Sequence, residues 1–303
     1  MTDIRGKVAV VTGAGSGIGR ALAHQLAHRG AALAISDIDE IGLAETAEQV
    51  KVIGARVHQT RLDVTDRPAV LRYAEEVVAE FGTVNIVINN AGIAFTGDIE
   101  KMTFEQIERV FDVDFWGVVN GTKAFLPHLI ASGDGHVVNI SSVFGLMSVP
   151  SQGAYNAAKF AVRGFTEALR SEMLVNGHPV RVTCVHPGGI KTPIARNANA
   201  VEGEDPVALA EVFDKLARMS AESAAKSIVR AVIGNRPRAV VGMDAKLLDL
   251  LVRITGPGYQ RLVSLSVGRM IPTSRNAPHS PRDQRDRTVT NGRSSAVDHG
   301  RDG

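Results

Sequence analysis

KVAVVTGAGSGIG, residues 7–19, is the stretch on which the fold turns. A short apolar run of strand composition ends at Thr12, a glycine-rich turn follows with Gly13, Gly17 and Gly19, and a helical pattern begins at Arg20. Glycines at these places allow a tight strand-to-helix turn and let a pyrophosphate approach the N–H groups of a helix N-terminus. The spacing is G-x-x-x-G-x-G, which departs from the commoner G-x-G-x-x-G fingerprint. It is not a P-loop either, because Arg20 follows Gly19 where a Lys-Ser/Thr pair is required.

Working outward, further β-rich runs lie at 31–36, 55–61, 84–89, 136–141, 180–185 and 238–242, with longer helix-period stretches between them. Together with residues 7–11 they predict seven strands in a mostly parallel sheet covered by helices on both faces, an α/β fold. Ligands of such sheets bind beyond the strand C-termini. Asp37 closes the second run, eighteen residues after Gly19. A carboxylate there accepts hydrogen bonds from ribose hydroxyls and repels a 2′-phosphate, so NAD is expected rather than NADP.

Composition excludes several classes. The chain has 303 residues, 44% hydrophobic, with 34 Lys and Arg against 32 Asp and Glu. That balance, without a basic stripe, argues against nucleic acid. Cys184, the single cysteine, sits in the apolar run VRVTCV and reads as a small buried hydrophobe. The nine histidines are scattered, and no metal is expected. The N-terminal apolar run is too short for a signal peptide or a membrane span, which points to the cytoplasm.

A second constellation carries chemistry. In YNAAK, Tyr155 and Lys159 stand four apart and share a helix face, and Ser142 lies thirteen residues before Tyr155, after the fifth strand. A tyrosine acts as a base near neutral pH only if a cation stabilises its phenolate, which Lys159 can do. Ser142 can hold a substrate oxygen by a hydrogen bond.

With TGAGSGIG, Asp63-Val64, NNAG at 89–92, Ser142, YNAAK and PGGIKT at 187–192 in this order, residues 4–242 resemble a short-chain dehydrogenase/reductase of the single-domain branch. The resemblance implies a Rossmann-type, doubly wound, parallel seven-stranded sheet, and hydride transfer between NAD(H) and a secondary alcohol or ketone with Tyr155 as general acid/base. It assigns the cofactor to Gly13, Ser16, Gly17, Ile18, Gly19 and Asp37, to Asp63 and Val64 at the adenine, and to Asn90, Ala91 and Gly92 along the adenosine. Pro187, Gly188, Ile190 and Thr192 fall to the nicotinamide end, and Tyr155 and Lys159 to its ribose. In FDVDFWG, residues 111–117, Asp114 holds the position where the family usually carries an asparagine, the fourth member of a tetrad with Ser142, Tyr155 and Lys159. An ionised Asp114 some 4 Å from Lys159 would attract it by roughly 4 kcal/mol at an effective dielectric near 20. Bonding a neighbouring backbone N–H is the plainer reading of Asp114.

Ile93, Phe95, Phe144, Leu146, Met147 and Val149 suggest an apolar substrate, with core packing as the alternative for each. Residues 193–223 read as a substrate lid. A ketoacyl-type reductase of lipid metabolism is a rival that Asp37 fits poorly, and a non-catalytic nucleotide-binding regulator is a rival from another class. Helical stretches at 104–131 and 153–175 suggest, by the resemblance, a homodimer or homotetramer, with Trp116 either at that interface or in the core. The domain is expected to run over 1–275, including a helical extension at 244–271 that packs on the sheet or a partner. A weak membrane-surface contact is that extension's alternative. The polar tail at 276–303 is expected to be disordered.

Overall fold

Seven strands form where the β-rich runs place them: β1 Val8–Thr12, β2 Ala32–Asp37, β3 Val57–Arg61, β4 Ile86–Asn89, β5 Gly135–Ile140, β6 Val180–Pro187 and β7 Arg238–Val241. The computed structural model describes residues 3–194, 198–201 and 217–270. The expected tail at 276–303 and the greater part of the expected lid at 193–223 lie outside the described residues.

The strands make one parallel sheet in the order β7-β6-β5-β4-β1-β2-β3. The chain runs outward from β1 through β2 to β3, then returns to the other side of β1 at β4. Strand order therefore reverses between β1 and β4, and a crevice opens beyond their C-terminal ends. In β1 the pleat sends Ala9 and Val11 to one core and Val8 and Val10 to the other, so all five residues are buried.

One core is closed by α1 (Gly17–Ala27), α2 (Glu40–Val52) and, later in the chain, residues Ala221–Ile233, which contribute Leu22, Leu26, Leu43, Val50, Ile228 and Val229. The other is closed by α3 (Arg67–Phe81), α5 (Gly117–Ala131) and α6 (Gly153–Val175), through Tyr73, Val77, Phe125, Leu129, Leu169 and Met173. The helix Ala221–Ile233 is α7. Burial of such side chains is the main term holding the layers together, at about 25 cal/mol per Å² of apolar surface.

The helical stretch expected at 104–131 is not continuous. α4 (Phe104–Phe111) opens with a capping box between Thr103 and Gln106, then Asp112–Trp116 widens into one π-turn before α5. Gly117 donates its N–H to the Asp112 carbonyl five residues back. One residue too many for the α-helical repeat rotates the side chains that follow. Trp116 is left 44% exposed and stacked under the Arg67 guanidinium, so it is not core. After β7 the chain forms α8 (Met243–Thr255), a 3₁₀ turn at Gly256–Gly258, and α9 (Tyr259–Met270).

Candidate active site

The residues singled out from sequence lie at the C-terminal ends of the sheet strands, in the π-turn and on α6. At the end of β1, Gly13 and Gly17 have φ of 66° and 53°, a conformation that favours glycine. A Cβ on Gly13 would lie 2.7 Å from the Ala91 Cα, and one on Gly19 would run into the Gly13 carbonyl. Ser16 caps α1 with extended backbone but no side-chain hydrogen bond, which leaves the first-turn N–H groups to a ligand. Ile18 and Gly19 continue that first turn.

Polar residues around the turn are engaged with the backbone. Asp37 accepts the Gly15 N–H at 2.7 Å through Oδ2 and the Asp39 N–H at 3.0 Å through Oδ1. Asn90 donates through Nδ2 to the carbonyls of Thr12 and Gly13 at 3.0 and 3.1 Å. The N–H groups of Asn90 and Ala91 both reach Thr12 Oγ1. Asn90 therefore holds the turn from behind. Asp63 accepts from the N–H and hydroxyl of Thr65 through Oδ1, and Val64 packs so closely on Gly117 that a Cβ there would lie 2.7 Å from it.

Across the crevice, Ser142 follows β5. Its Oγ accepts the Phe144 N–H at 3.1 Å, and its carbonyl accepts from His186 Nδ1 at 2.9 Å. Two residues of α6 complete the cluster: Lys159 Nζ lies 5.5 Å from the Tyr155 ring centre, and the Phe144 ring meets Tyr155 edge-on at 6.2 Å. Lys159 Nζ donates to the Ile140 carbonyl at 3.4 Å and stands 3.5 Å from Asp114 Oδ1. The same Oδ1 accepts the Ile93 N–H at 2.9 Å, while Oδ2 is buried without a partner among the described residues. Both readings of Asp114 thus hold together: it bonds a backbone N–H and it faces Lys159. Gly92 leaves room for this, since a Cβ there would lie 2.6 Å from Asp114 Oδ1 and 3.3 Å from Lys159 Nζ.

Burial is the first influence on each group in this cluster. Burial raises the Asp114 carboxyl, with Lys159 and the Ile93 N–H pulling it down. Burial opposes the charge on Lys159, but Asp114 and then Tyr155 outweigh it, and the ammonium is held above its ordinary range. For Tyr155 burial again comes first: with Asp114 it raises the phenol, and Lys159 and Ser142 only partly offset this. Lys159 does lower the tyrosine as expected, yet the net direction without a bound ligand is upward.

The last segment follows β6. Pro187 ends the strand, Gly188 donates its N–H to the Val241 carbonyl, and Ile190 is buried. Thr192 and Pro193 reach back to the glycine turn, 3.2 and 3.6 Å from where a Gly17 Cβ would stand. Of the six apolar candidates, Phe95 and Met147 pack into satellite cores and Leu146 is buried, whereas Ile93, Phe144 and Val149 stay partly buried beside Tyr155 or the segment after Ser142. Thr12, His186, Asp244 and Tyr259 shape the site without having been singled out. Thr12 alone carried a local signal, its place between strand and glycines. Burial pushes the Cys184 thiol up to about 12, which suits a packing role. Among the described residues no cluster of His, Cys, Asp and Glu is placed to hold a metal, and no helix is long and apolar enough to cross a membrane.

Residues 7–203 match the family model described as short chain dehydrogenase. SadH of Mycobacterium tuberculosis is 62% identical over 273 residues, covering 90% of this chain and 99% of that protein. Human estradiol 17-beta-dehydrogenase 11 is 37% identical over 204 residues, covering 66% of this chain and 67% of the relative. A short-chain dehydrogenase/reductase from Burkholderia phymatum, solved in complex with NAD, superposes with a TM-score of 0.79 at 30% identity, over 86% of this chain and 97% of the other. A short chain dehydrogenase from Mycobacterium paratuberculosis bound to NAD superposes with a TM-score of 0.70 at 26% identity, over 79% and 97%. With its parallel sheet and the length of these matches, the chain belongs to the short-chain dehydrogenase/reductase family, oxidoreductases that use a nicotinamide cofactor on the CH–OH group of their substrates.

Proposed function

We propose that this enzyme exchanges a hydride between NAD and a hydrophobic secondary alcohol or ketone, with Tyr155 as the proton-transferring group. The observation that carries the reading is the cluster of buried Ser142, Lys159 and Asp114 with the half-buried Tyr155, across the crevice from a glycine turn with uncapped N–H groups. Those N–H groups and the missing side chains suit a pyrophosphate. Asp37 spends two of its roughly four lone pairs on backbone, so two are left for a ribose diol, and its charge disfavours a 2′-phosphate. Asp63 has Oδ2 to offer the adenine beside Val64. Asn90, Ala91 and Gly92 would support the adenosine, and Pro187, Gly188, Ile190 and Thr192 the nicotinamide end.

The bound nicotinamide supplies the hydride acceptor or donor. The chain supplies the rest. Ser142 orients the substrate oxygen, Tyr155 takes or gives its proton, and the Lys159 ammonium favours the phenolate. Because burial and Asp114 hold the phenol protonated, ketone reduction is served at neutral pH and alcohol oxidation gains toward alkaline pH. Ile93, Phe144 and Val149 favour an apolar substrate body. The exposed Phe104, Trp116 and Phe160 on α4, the π-turn and α6 support a homo-oligomer, which sedimentation of a monomer would remove.

The test is an NADH absorbance screen over secondary alcohols and ketones of graded apolar size, repeated with NADP. The expected result is a kcat/KM that rises with apolar size and favours NAD. A preference for NADP sinks the role of Asp37, and activity confined to small polar alcohols sinks the substrate class.

A further inference from the structure

We propose that the C-terminal hairpin α8–α9 is a working wall of this site, in which Asp244 positions the nicotinamide-side turn after β6 and Tyr259 positions the substrate-side segment after Ser142. The inference rests on the NAD-dependent chemistry proposed above and adds two positioning residues to it. Both lie beyond residues 7–203, the part that matches the family model.

Asp244 sits in the first turn of α8 but does not cap its own helix, whose N-cap, Gly242, makes no side-chain bond. Its carboxylate instead accepts the Gly189 N–H at 2.7 Å. Two glycines make room for it: a Cβ on Gly188 or on Gly242, whose φ is 110°, would run into this carboxylate. A first-turn acid is thus spent on fixing the 187–192 turn. Without it the Gly189 N–H would lose its acceptor.

Tyr259 begins α9 and is 7% exposed. Its hydroxyl accepts the Ser148 N–H at 2.9 Å, a bond between residues 111 apart in sequence. Its ring packs in one cluster with Val143, Met147 and Ala245, against which Phe144, Val149 and Leu248 also lie. Val143 follows Ser142 directly, and Phe144 is the ring set edge-on to Tyr155. Contact therefore runs without a gap from the hairpin through residues 143–149 to the reacting groups, and a buried aromatic fixed at both its ring and its hydroxyl holds one geometry.

The two anchors act on different ligands, which makes the proposal testable. Tyr259→Phe keeps the ring and removes the acceptor. It should raise KM for bulky apolar alcohols by up to about tenfold, leave the Kd for NAD unchanged, and speed hydrogen exchange at the Ser148 amide. Asp244→Ala should do the converse, weakening NAD by up to about tenfold and freeing the Gly189 amide to exchange, while Asp244→Asn, which keeps an acceptor oxygen, restores both. Parallel loss of every parameter with a fall in Tm, or no change in exchange at either amide, overturns the proposal. Absence of turnover in the unaltered protein would instead sink the alcohol chemistry, and NAD binding and amide exchange would still decide the role of the hairpin.

Discussion

At the glycine turn the polar side chains serve the backbone, with Asp37 bonding Gly15, Asn90 bonding Thr12 and Gly13, and little charge deeply buried. Across the crevice the arrangement is reversed: Asp114 is 0% and Lys159 3% exposed, and a carboxylate oxygen there has no partner among the described residues. In the proposed function the first region works by what is missing, since side-chain atoms would fill the space a pyrophosphate needs. The second works by groups that are costly to bury and are tolerated because they offset one another. Adding atoms should break the first, and removing or neutralising atoms should break the second.

The largest effect is expected at Tyr155. Tyr155→Phe removes the hydroxyl proposed to move the proton and leaves the ring against Phe144, so kcat should fall by about 10²–10⁴-fold while NAD binding persists. Steady-state rates beside a calorimetric NAD titration check this, and turnover that survives removes Tyr155 from the mechanism.

Acid should reveal the next difference. His186 lies behind Ser142, and burial, with Arg238 and Arg163 adding to it against Glu167 and the Ser142 carbonyl, lowers it from 6.5 to about 4. A histidine depressed in the folded state is protonated more readily by the unfolded chain. Its contribution is complete above about pH 6.5 and is lost as pH falls toward 4, on the order of 3 kcal/mol in all. Urea unfolding across this range should show the loss. His136, lowered to about 3 by burial, adds a loss of the same sign, so His186→Gln should flatten the curve only in part. An identical slope in the variant would show that His186 takes up its proton alike in both states. Hydrogen exchange should rise first at 141–149 and later at 13–19.

At the turn itself, Gly19→Ala puts a methyl against the Gly13 carbonyl, which is backbone and cannot rotate away. The turn must shift, at a cost of about 1–3 kcal/mol in stability and with loss of NAD affinity. Unchanged affinity would mean that the pyrophosphate does not rest there.

What could be read from sequence divides along the same line. The seven strands fall within two residues of their expected ends because short β-branched runs are local signals. The glycine turn and the Tyr155–Lys159 pair are also local, one fixed by residue type and the other by the helical repeat. The π-turn at 112–116 was not legible, since one residue inserted into a helix hardly disturbs its apolar pattern. The bond of Tyr259 to Ser148 spans 111 residues and leaves no trace in either neighbourhood. Nor could the upward direction of the Tyr155 phenol be seen, because Lys159 predicts a fall and only burial and the position of Asp114 reverse it.

Asp114 is where the comparison can be adjusted most gently. At 3.5 Å the attraction between its carboxylate and Lys159 is about 5 kcal/mol at an effective dielectric near 20, before the cost of desolvating both groups. Part of the lysine's pull on Tyr155 is cancelled in this way, and the carboxylate raises the phenol directly. Asp114→Asn keeps an oxygen for the Ile93 N–H and removes the charge, so the fold and turnover should survive. Both effects of the charge on Tyr155 have one sign. Removing it lowers the phenol, and the alkaline rise in alcohol oxidation should move to lower pH. The same variant should let Lys159 lose its proton at lower pH, since Asp114 is the largest influence holding that proton on. Both limbs of the profile would then shift to lower pH. Rates for one alcohol between neutral and strongly alkaline pH test this: a profile that does not move would mean that the carboxylate, although 3.5 Å from Lys159, is already protonated in the working enzyme.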